Sequence, residues 1–242
     1  MKRLVCISKG CFWNPYKKVD INKQIKLISK LDVDGFEFLL GDAIDLLSFR
    51  LKKSSIKILK DLEFNTIHVP FALDKKRLIF ANDKRSKRIM KKIYDIYDKI
   101  NAKNINIHPH QIENFKIFDV HNYQHSIENM EVHHEFNVKY YRNILKKNPS
   151  FKFVFDTTHA CEANEMKKLF NAFKKKIIYS HLSGNYFNHL HIPLHALNKE
   201  YLKPLELIKK GKFPIIIENQ IGTKDNEEYK KEIAFVKKWL KK

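Results

Sequence analysis

The chain has 242 residues, 43% of them apolar, and 47 lysines and arginines against 27 acidic residues give it a formal net charge of +20. This length suits one domain with a large core, and (β/α)8 barrels commonly fill it as a single unit. No apolar run could span a bilayer, the apolar stretch after the basic start is too short for a signal peptide, and Cys6, Cys11 and Cys161 form neither a paired framework nor a C-x-x-C site, so a reduced cytoplasmic setting with no membrane partner is expected.

The predicted elements alternate from end to end. LVCIS (4–8) is a strand and Val19–Leu31 has helical spacing; GFEFLL (35–40) is a strand, followed by helical material from Ile44 to Leu62. TIHV (66–69) precedes a helix over Lys84–Ile100. INIH (105–108) is a strand, but the stretch to residue 122 holds only a turn or two of helix. QHSIEN (124–129) leads to a helix over Asn137–Lys147, and FKFVFD (151–156) to one over Glu162–Phe173. IIYSH (177–181) is followed by a long loop and a helix over Tyr201–Lys210, and PIIIE (214–218) by a closing helix over Asn226–Lys241. Eight βα units imply parallel strands with right-handed crossovers. The expectation is one α/β domain over residues 1–242, a (β/α)8 TIM barrel whose helix between strands four and five is abbreviated. No linker or low-complexity tract divides the chain.

A barrel of this kind places its active site at the C-terminal ends of its strands. Those positions read Glu37, His68, His108, Glu128, Asp156, His181 and Glu218. Buried carboxylates must be paired or coordinated, and histidine nitrogens with carboxylate oxygens are the ligand set of zinc, manganese and similar ions. A divalent metal cofactor is therefore expected. For Asp156 the plain reading is a helix cap, with His159 a surface histidine; the company of the other strand ends argues for more. In the loop after strand seven, His189 and His191 alternate, so an extended segment would point both at one ion. His110, His121, His125, His133, His134 and His195 read as surface or supporting groups. Phe12 and Trp13, in the loop CFWNPY (11–16), are candidates to cover the barrel mouth and stack on substrate, although packing against the rim is the commoner fate of such aromatics. Glu37 is the third candidate for substrate contact.

The basic charge admits a nucleic-acid surface. Only six of the basic residues are arginine, however, and the lysines spread over nearly every predicted helix, which reads as compositional habit. The dense stretch from Lys75 to Lys92 reads as a solvated helix face.

In the order GFEF, IHVPF, NIHPH, SIEN, FDTTHA, YSHLS, HLHIPL and IIIEN, the strand ends resemble the xylose isomerase-like TIM barrels, which include sugar isomerases and epimerases and endonuclease IV, the second family of apurinic/apyrimidinic endonucleases. From the sugar-enzyme side, the resemblance implies one divalent ion, zinc or manganese, on Glu128, Asp156, His181 and Glu218. Glu128 and Glu218 would act as an acid–base pair about an enediolate formed from a small sugar or sugar phosphate. From the endonuclease side, it implies up to three zinc ions and DNA as partner, with hydrolysis of the phosphodiester 5′ of an abasic site. His68 and His108 would then join Glu128 on one ion, and His159, His189 and His191 would hold the third. The short segment from His181 to His191, the compact chain and GFEF favour the sugar enzyme, and the retained histidines and the charge favour DNA; the expected function is the metal-dependent isomerase or epimerase, with the endonuclease as the alternative. A barrel that only binds, without catalysis, is a further alternative, against which the intact four-residue set speaks.

Overall fold

Two kinds of core alternate along the strands of the computed structural model, which describes residues 2–13, 20–130, 136–187 and 189–241. The strands are Val5–Ser8 (β1), Gly35–Leu39 (β2), Phe64–His68 (β3), Ala102–Ile107 (β4), His125–Glu128 (β5), Lys152–Asp156 (β6), Ile177–Leu182 (β7) and Ile215–Ile217 (β8). Each pairs in parallel with its chain neighbours, and β1 pairs with β8 to close the barrel. Ile7, Phe36, Phe153 and Ile217 belong to the large cluster packed with the helices, whereas Cys6, Val154, Tyr179 and Ile216 form a small separate core. Alternate residues of one strand thus serve different layers, as a pleated strand requires. Gly35 opens β2 because a Cβ there would lie 1.8 Å from the Phe64 carbonyl oxygen.

The helices are Ile21–Ile28 (α1), Ala43–Ser48 (α2), Lys53–Lys60 (α3), Lys84–Ile100 (α4), Val138–Lys147 (α5), Thr157–Glu162 (α6), Met166–Phe173 (α7), Lys199–Leu202 (α8) and Asn226–Trp239 (α9). In α4, Ile89, Met90, Ile93, Ile96 and Ile100 bury one stripe, Asp83 caps the start, and Asn101 ends it in the left-handed region (φ 53°). Between β4 and β5 the connection is reduced to two short 3-10 turns, Pro109–Gln111 and Phe115–Phe118, as expected from the sequence. Among the described residues, no helix is long and apolar enough to cross a membrane.

Three helices differ from the sequence expectation. Ile44–Leu62 is split into α2 and α3, because the Asn22 amide of α1 donates to the Arg50 carbonyl and its oxygen accepts from the Lys52 N–H. Those side-chain bonds satisfy backbone that a continuous helix would have used. The Glu162–Phe173 helix starts earlier, at Asp156, and breaks where Asn164 turns left-handed (φ 51°). Tyr201–Lys210 is a single α turn, α8, followed by 3-10 geometry from Lys203, where Pro204 removes a donor. The predicted start of the first helix at Val19, residues 14–16 of the mouth loop, and His133 and His134 lie outside the described residues. Two short hairpins were not expected: Ala72–Leu73 with Lys76–Arg77 after β3, and Gly184–Tyr186 with His189–Ile192 after β7.

Candidate metal centre

Parallel closure brings the strand ends to one mouth. His68, Glu128 and Asp156 end β3, β5 and β6; His181 is the last residue but one of β7; His108 and Glu218 follow β4 and β8 directly. Asp156 and His181 are register partners across β6 and β7. Among the described residues, two groups place their ligand atoms mutually within 4.8 Å: His68, His108 and Glu128, and then Glu128, Asp156, His181 and Glu218.

In the first group, His68 Nε2 lies 3.1 Å from His108 Nε2 and 3.4 Å from Glu128 Oε2, with His108 Nε2 3.7 Å from the same oxygen. Donors each about 2.0–2.1 Å from a tetrahedral zinc ion are separated by roughly 3.3 Å, so these spacings fit one ion. His68 Nδ1–H donates to the Val69 carbonyl at 2.8 Å, which turns Nε2 toward the group. Phe71 stacks on His108 at 5.3 Å and walls this side.

The second group is centred on His181 Nδ1, which is 2.8 Å from Glu128 Oε1, 3.0 Å from Glu218 Oε2 and 3.8 Å from Asp156 Oδ2. Asp156 divides its carboxylate. Oδ1 accepts the His159 backbone N–H at 2.7 Å and caps α6, while Oδ2 is buried without a hydrogen-bond partner. The plain reading of a helix cap is therefore true of one oxygen and leaves the other for a cation. An orphaned buried carboxylate oxygen beside two more carboxylates and an imidazole fits a divalent ion. Asn129 fixes this corner: its amide donates to the Asp156 carbonyl and its oxygen accepts the Asp156 N–H, both at 2.8 Å.

Without an ion, the crowded carboxylates set the protonation of the site. Burial opposes charge on His181, but Glu128, Glu218 and Glu37 together hold its pKa well above the usual value. Burial alone would raise Glu128, yet His181 and His68 keep it well below the ordinary carboxylate range. Burial pushes the Glu218 carboxyl up to about 7 against the pull of His181, with Glu128 and Glu37 reinforcing the rise. For His159, burial is outweighed by Asp156 and Glu128, which bring it up to about 9.

The third expected group is not assembled among the described residues. His159 Nδ1–H donates to the Asn129 carbonyl at 2.9 Å, and its ring centroid lies 6.0 Å from that of His191. His191 sits in the left-handed region (φ 57°), which breaks the alternation that would have pointed it with His189. His191 Nδ1 instead meets the Glu218 carbonyl at 2.9 Å, and His189 is exposed on the hairpin.

The substrate-contact expectations also need correction. Glu37 occupies the middle of β2, a layer below the mouth, and is fully buried against Thr66, Tyr179 and His181. Phe12 is buried and stacks on Tyr229 at 4.9 Å, which leaves no face for a ligand. Trp13 stays 38% exposed, with Lys9 Nζ 4.1 Å from its ring centroid. Of the remaining histidines, His125 is buried among Tyr94, Phe118 and Phe151, and His195 bonds to Glu232 at 2.7 Å. Asn106, Asn129 and Tyr179 were given no role by sequence reasoning. For Asn106 and Tyr179 the signal is a polar group inside an otherwise apolar strand, as in Asn104-Ile105-Asn106-Ile107, where both asparagines must share the inward face; Asn129, just past β5, has no such mark.

No family model matches the chain, and no curated protein matches it. Solved structures do. The 3-keto-D-glucoside 4-epimerase YcjR of E. coli, in apo form, aligns with a TM-score of 0.66 at 13% identity, covering 99% of each chain. Endonuclease IV of Thermus thermophilus aligns at 0.66 and 12% identity, over 98% of this chain and 99% of that one. A xylose isomerase-like TIM barrel protein of Mycobacterium smegmatis, in complex with magnesium, aligns at 0.59 and 12% identity, over 98% and 96%. What the chain shares with all three is the fold, a (β/α)8 barrel.

Proposed function

We propose that this xylose isomerase-like TIM barrel is a divalent-metal-dependent phosphodiester hydrolase of the apurinic/apyrimidinic endonuclease type, acting through a two-ion centre. One observation carries the reading: Glu128 presents Oε2 to His68 and His108 and Oε1 to His181, so a single carboxylate serves both ligand groups. Ions held there would supply Lewis acidity to the phosphoryl oxygens and the leaving oxygen of an in-line displacement. Enolisation of a sugar needs only the second group, and His68 and His108 would then be surplus. The net charge of +20 is consistent with a polyanionic substrate, and endonuclease IV is among the structural neighbours.

Within that reading, Glu128 bridges, Asp156 and His181 complete the second group, and Glu218 holds or releases a proton at Oε2. Glu218 Oε2 lies 3.0 Å from His181 Nδ1, which places it at the edge of the second group where a proton could be passed. His159, cationic beside Asp156, offers positive charge to a phosphate oxygen.

A second reading, a sugar isomerase or epimerase with one ion, is favoured by the same Glu218. It faces an ionised Glu128 across His181, and two carboxyls driven apart in pKa can act as acid and base about a carbonyl. Incubation of the protein with a duplex carrying one abasic site, with zinc and then with a chelator, distinguishes them. Chelator-sensitive incision 5′ of the site is expected. Intact duplex, together with metal-dependent epimerisation of a ketose, would replace the endonuclease reading by the second.

A further inference from the structure

Beneath the two ligand groups a path of buried hydrogen bonds runs from His181 Nε2 round to Glu128. His181 Nε2 lies 3.0 Å from Glu37 Oε1 and 3.2 Å from Oε2. Glu37 Oε2 also accepts from Thr66 Oγ1 at 3.1 Å and from Tyr179 OH at 3.2 Å. Asn104 Nδ2 donates to Tyr179 OH at 3.2 Å and to Ser126 Oγ at 2.7 Å. Ser126 Oγ reaches Asn106 Oδ1 at 3.2 Å, and Asn106 Nδ2 donates to Glu128 Oε2. His181 Nδ1 lies 2.8 Å from Glu128 Oε1, so the two ends of this path meet at the ligand atoms themselves.

The direction of the bonds follows from the ends. Glu37 and Glu128 are carboxylates and accept only, so Tyr179 and Asn106 donate to them. Ser126 then donates to Asn106 Oδ1, and Asn104 supplies hydrogens to both Ser126 and Tyr179. The opposite orientation of the Asn104 amide would draw on the Ser126 and Tyr179 hydrogens, which are already committed to Asn106 and Glu37. Every link of the path is a fully buried side chain, or one within a per cent of it, so each unmade bond would leave a polar group stranded. His181 Nε2 faces Glu37 alone, away from the other ligands, whereas Nδ1 faces Glu128, Glu218 and Asp156; with a cation in the second group, the ring keeps its one hydrogen on Nε2 against Glu37 and turns the Nδ1 lone pair to the ion.

We propose that Glu37 is a positioning residue of the metal centre. By accepting the His181 Nε2–H it fixes the tautomer and plane of that ring, and the return path through Tyr179, Asn104, Ser126 and Asn106 ties the orientation of His181 to that of Glu128. The two side chains that would share an ion are thus aimed as a unit from below. This inference rests on the metal centre but on neither choice of substrate. It also explains why a carboxylate so deep in β2 is left without solvent.

The test is Zn²⁺ binding by the full chain. Glu37→Gln keeps the shape and loses the carboxylate, and it is expected to weaken Zn²⁺ about 10- to 100-fold, the usual effect of removing a partner behind a ligand histidine. Tyr179→Phe breaks the path while sparing the Glu37–His181 contact, and a smaller loss of a few-fold is expected. In zinc-loaded wild type labelled with 15N-histidine, the His181 Nε2 signal should be that of a protonated nitrogen, a readout that needs no variant to fold. Unchanged Zn²⁺ affinity in Glu37→Gln, or a His181 protonated at Nδ1 in the zinc form, would overturn the proposal. Wild type that binds no Zn²⁺ would remove the centre and this inference together. Wild type that binds Zn²⁺ but incises no abasic duplex would remove the endonuclease reading and leave the inference to be judged by the first two results.

Discussion

Asn129→Ala strikes the corner where β5 and β6 meet below the ligands. In the folded chain the Asn129 amide accepts and donates at 2.8 Å with the backbone of Asp156, and both residues are fully buried. Truncation strands one N–H and one carbonyl in a place closed to solvent, and each such orphan costs about 1–3 kcal/mol. The expected loss is therefore about 2–6 kcal/mol, a large share of the stability of a typical domain. Urea unfolding followed by far-UV circular dichroism, with a chelator present so that bound metal adds nothing, measures it. Zn²⁺ affinity should fall as well, because Asp156 Oδ2 is aimed from this corner. A loss under about 1 kcal/mol with unchanged zinc affinity would mean that water or a local shift replaces the amide, and would refute the argument that Asn129 sets the corner.

Glu128→Gln should lower the zinc content of the chain from two ions to none, measured by atomic emission after dialysis, because its two oxygens face both groups; one retained ion would show that the groups fill separately. His189→Ala should leave zinc content and thermal midpoint unchanged, whereas His68→Ala should remove the ion of the first group; equal effects would contradict the placement of His189 on the exposed hairpin. His125 should destabilise the fold in acid. Burial lowers it from 6.5 to about 4, so above 6.5 it is neutral in both states, and as pH falls below that only the unfolded chain takes up the proton. The associated loss approaches roughly 3 kcal/mol near pH 4, and the difference in urea stability between wild type and His125→Phe across pH 7 to 4.5 checks it; parallel curves would contradict the assignment.

The barrel was legible because eight apolar strands and their intervening helical spacings each announce themselves locally. Six of the seven expected strand-end residues, all but Glu37, were legible for the same reason, since a charge that interrupts a buried run tends to lie at its rim. Depth was not. Glu37 reads like its neighbours in GFEF, yet the register of β2 sets it opposite Thr66 and a layer below Leu39 and His68, and only closure of the barrel fixes that. The turn at His191 was hidden because a left-handed histidine has no sequence mark comparable to glycine. The splitting of the second predicted helix depends on Asn22, 28 residues before its Arg50 partner, a contact no local window contains. Asn106, Asn129 and Tyr179 act through partners on other strands, so their roles exist only once those strands are adjacent.

The divided carboxylate of Asp156 links two events usually treated apart. The oxygen that starts α6 and the oxygen that faces the cation belong to one rigid group, so forming the first turn of that helix orients the second oxygen in the same motion. An ion arriving early would in turn stabilise the nucleus of α6, so that metal uptake and the completion of this half of the barrel reinforce each other rather than following in sequence.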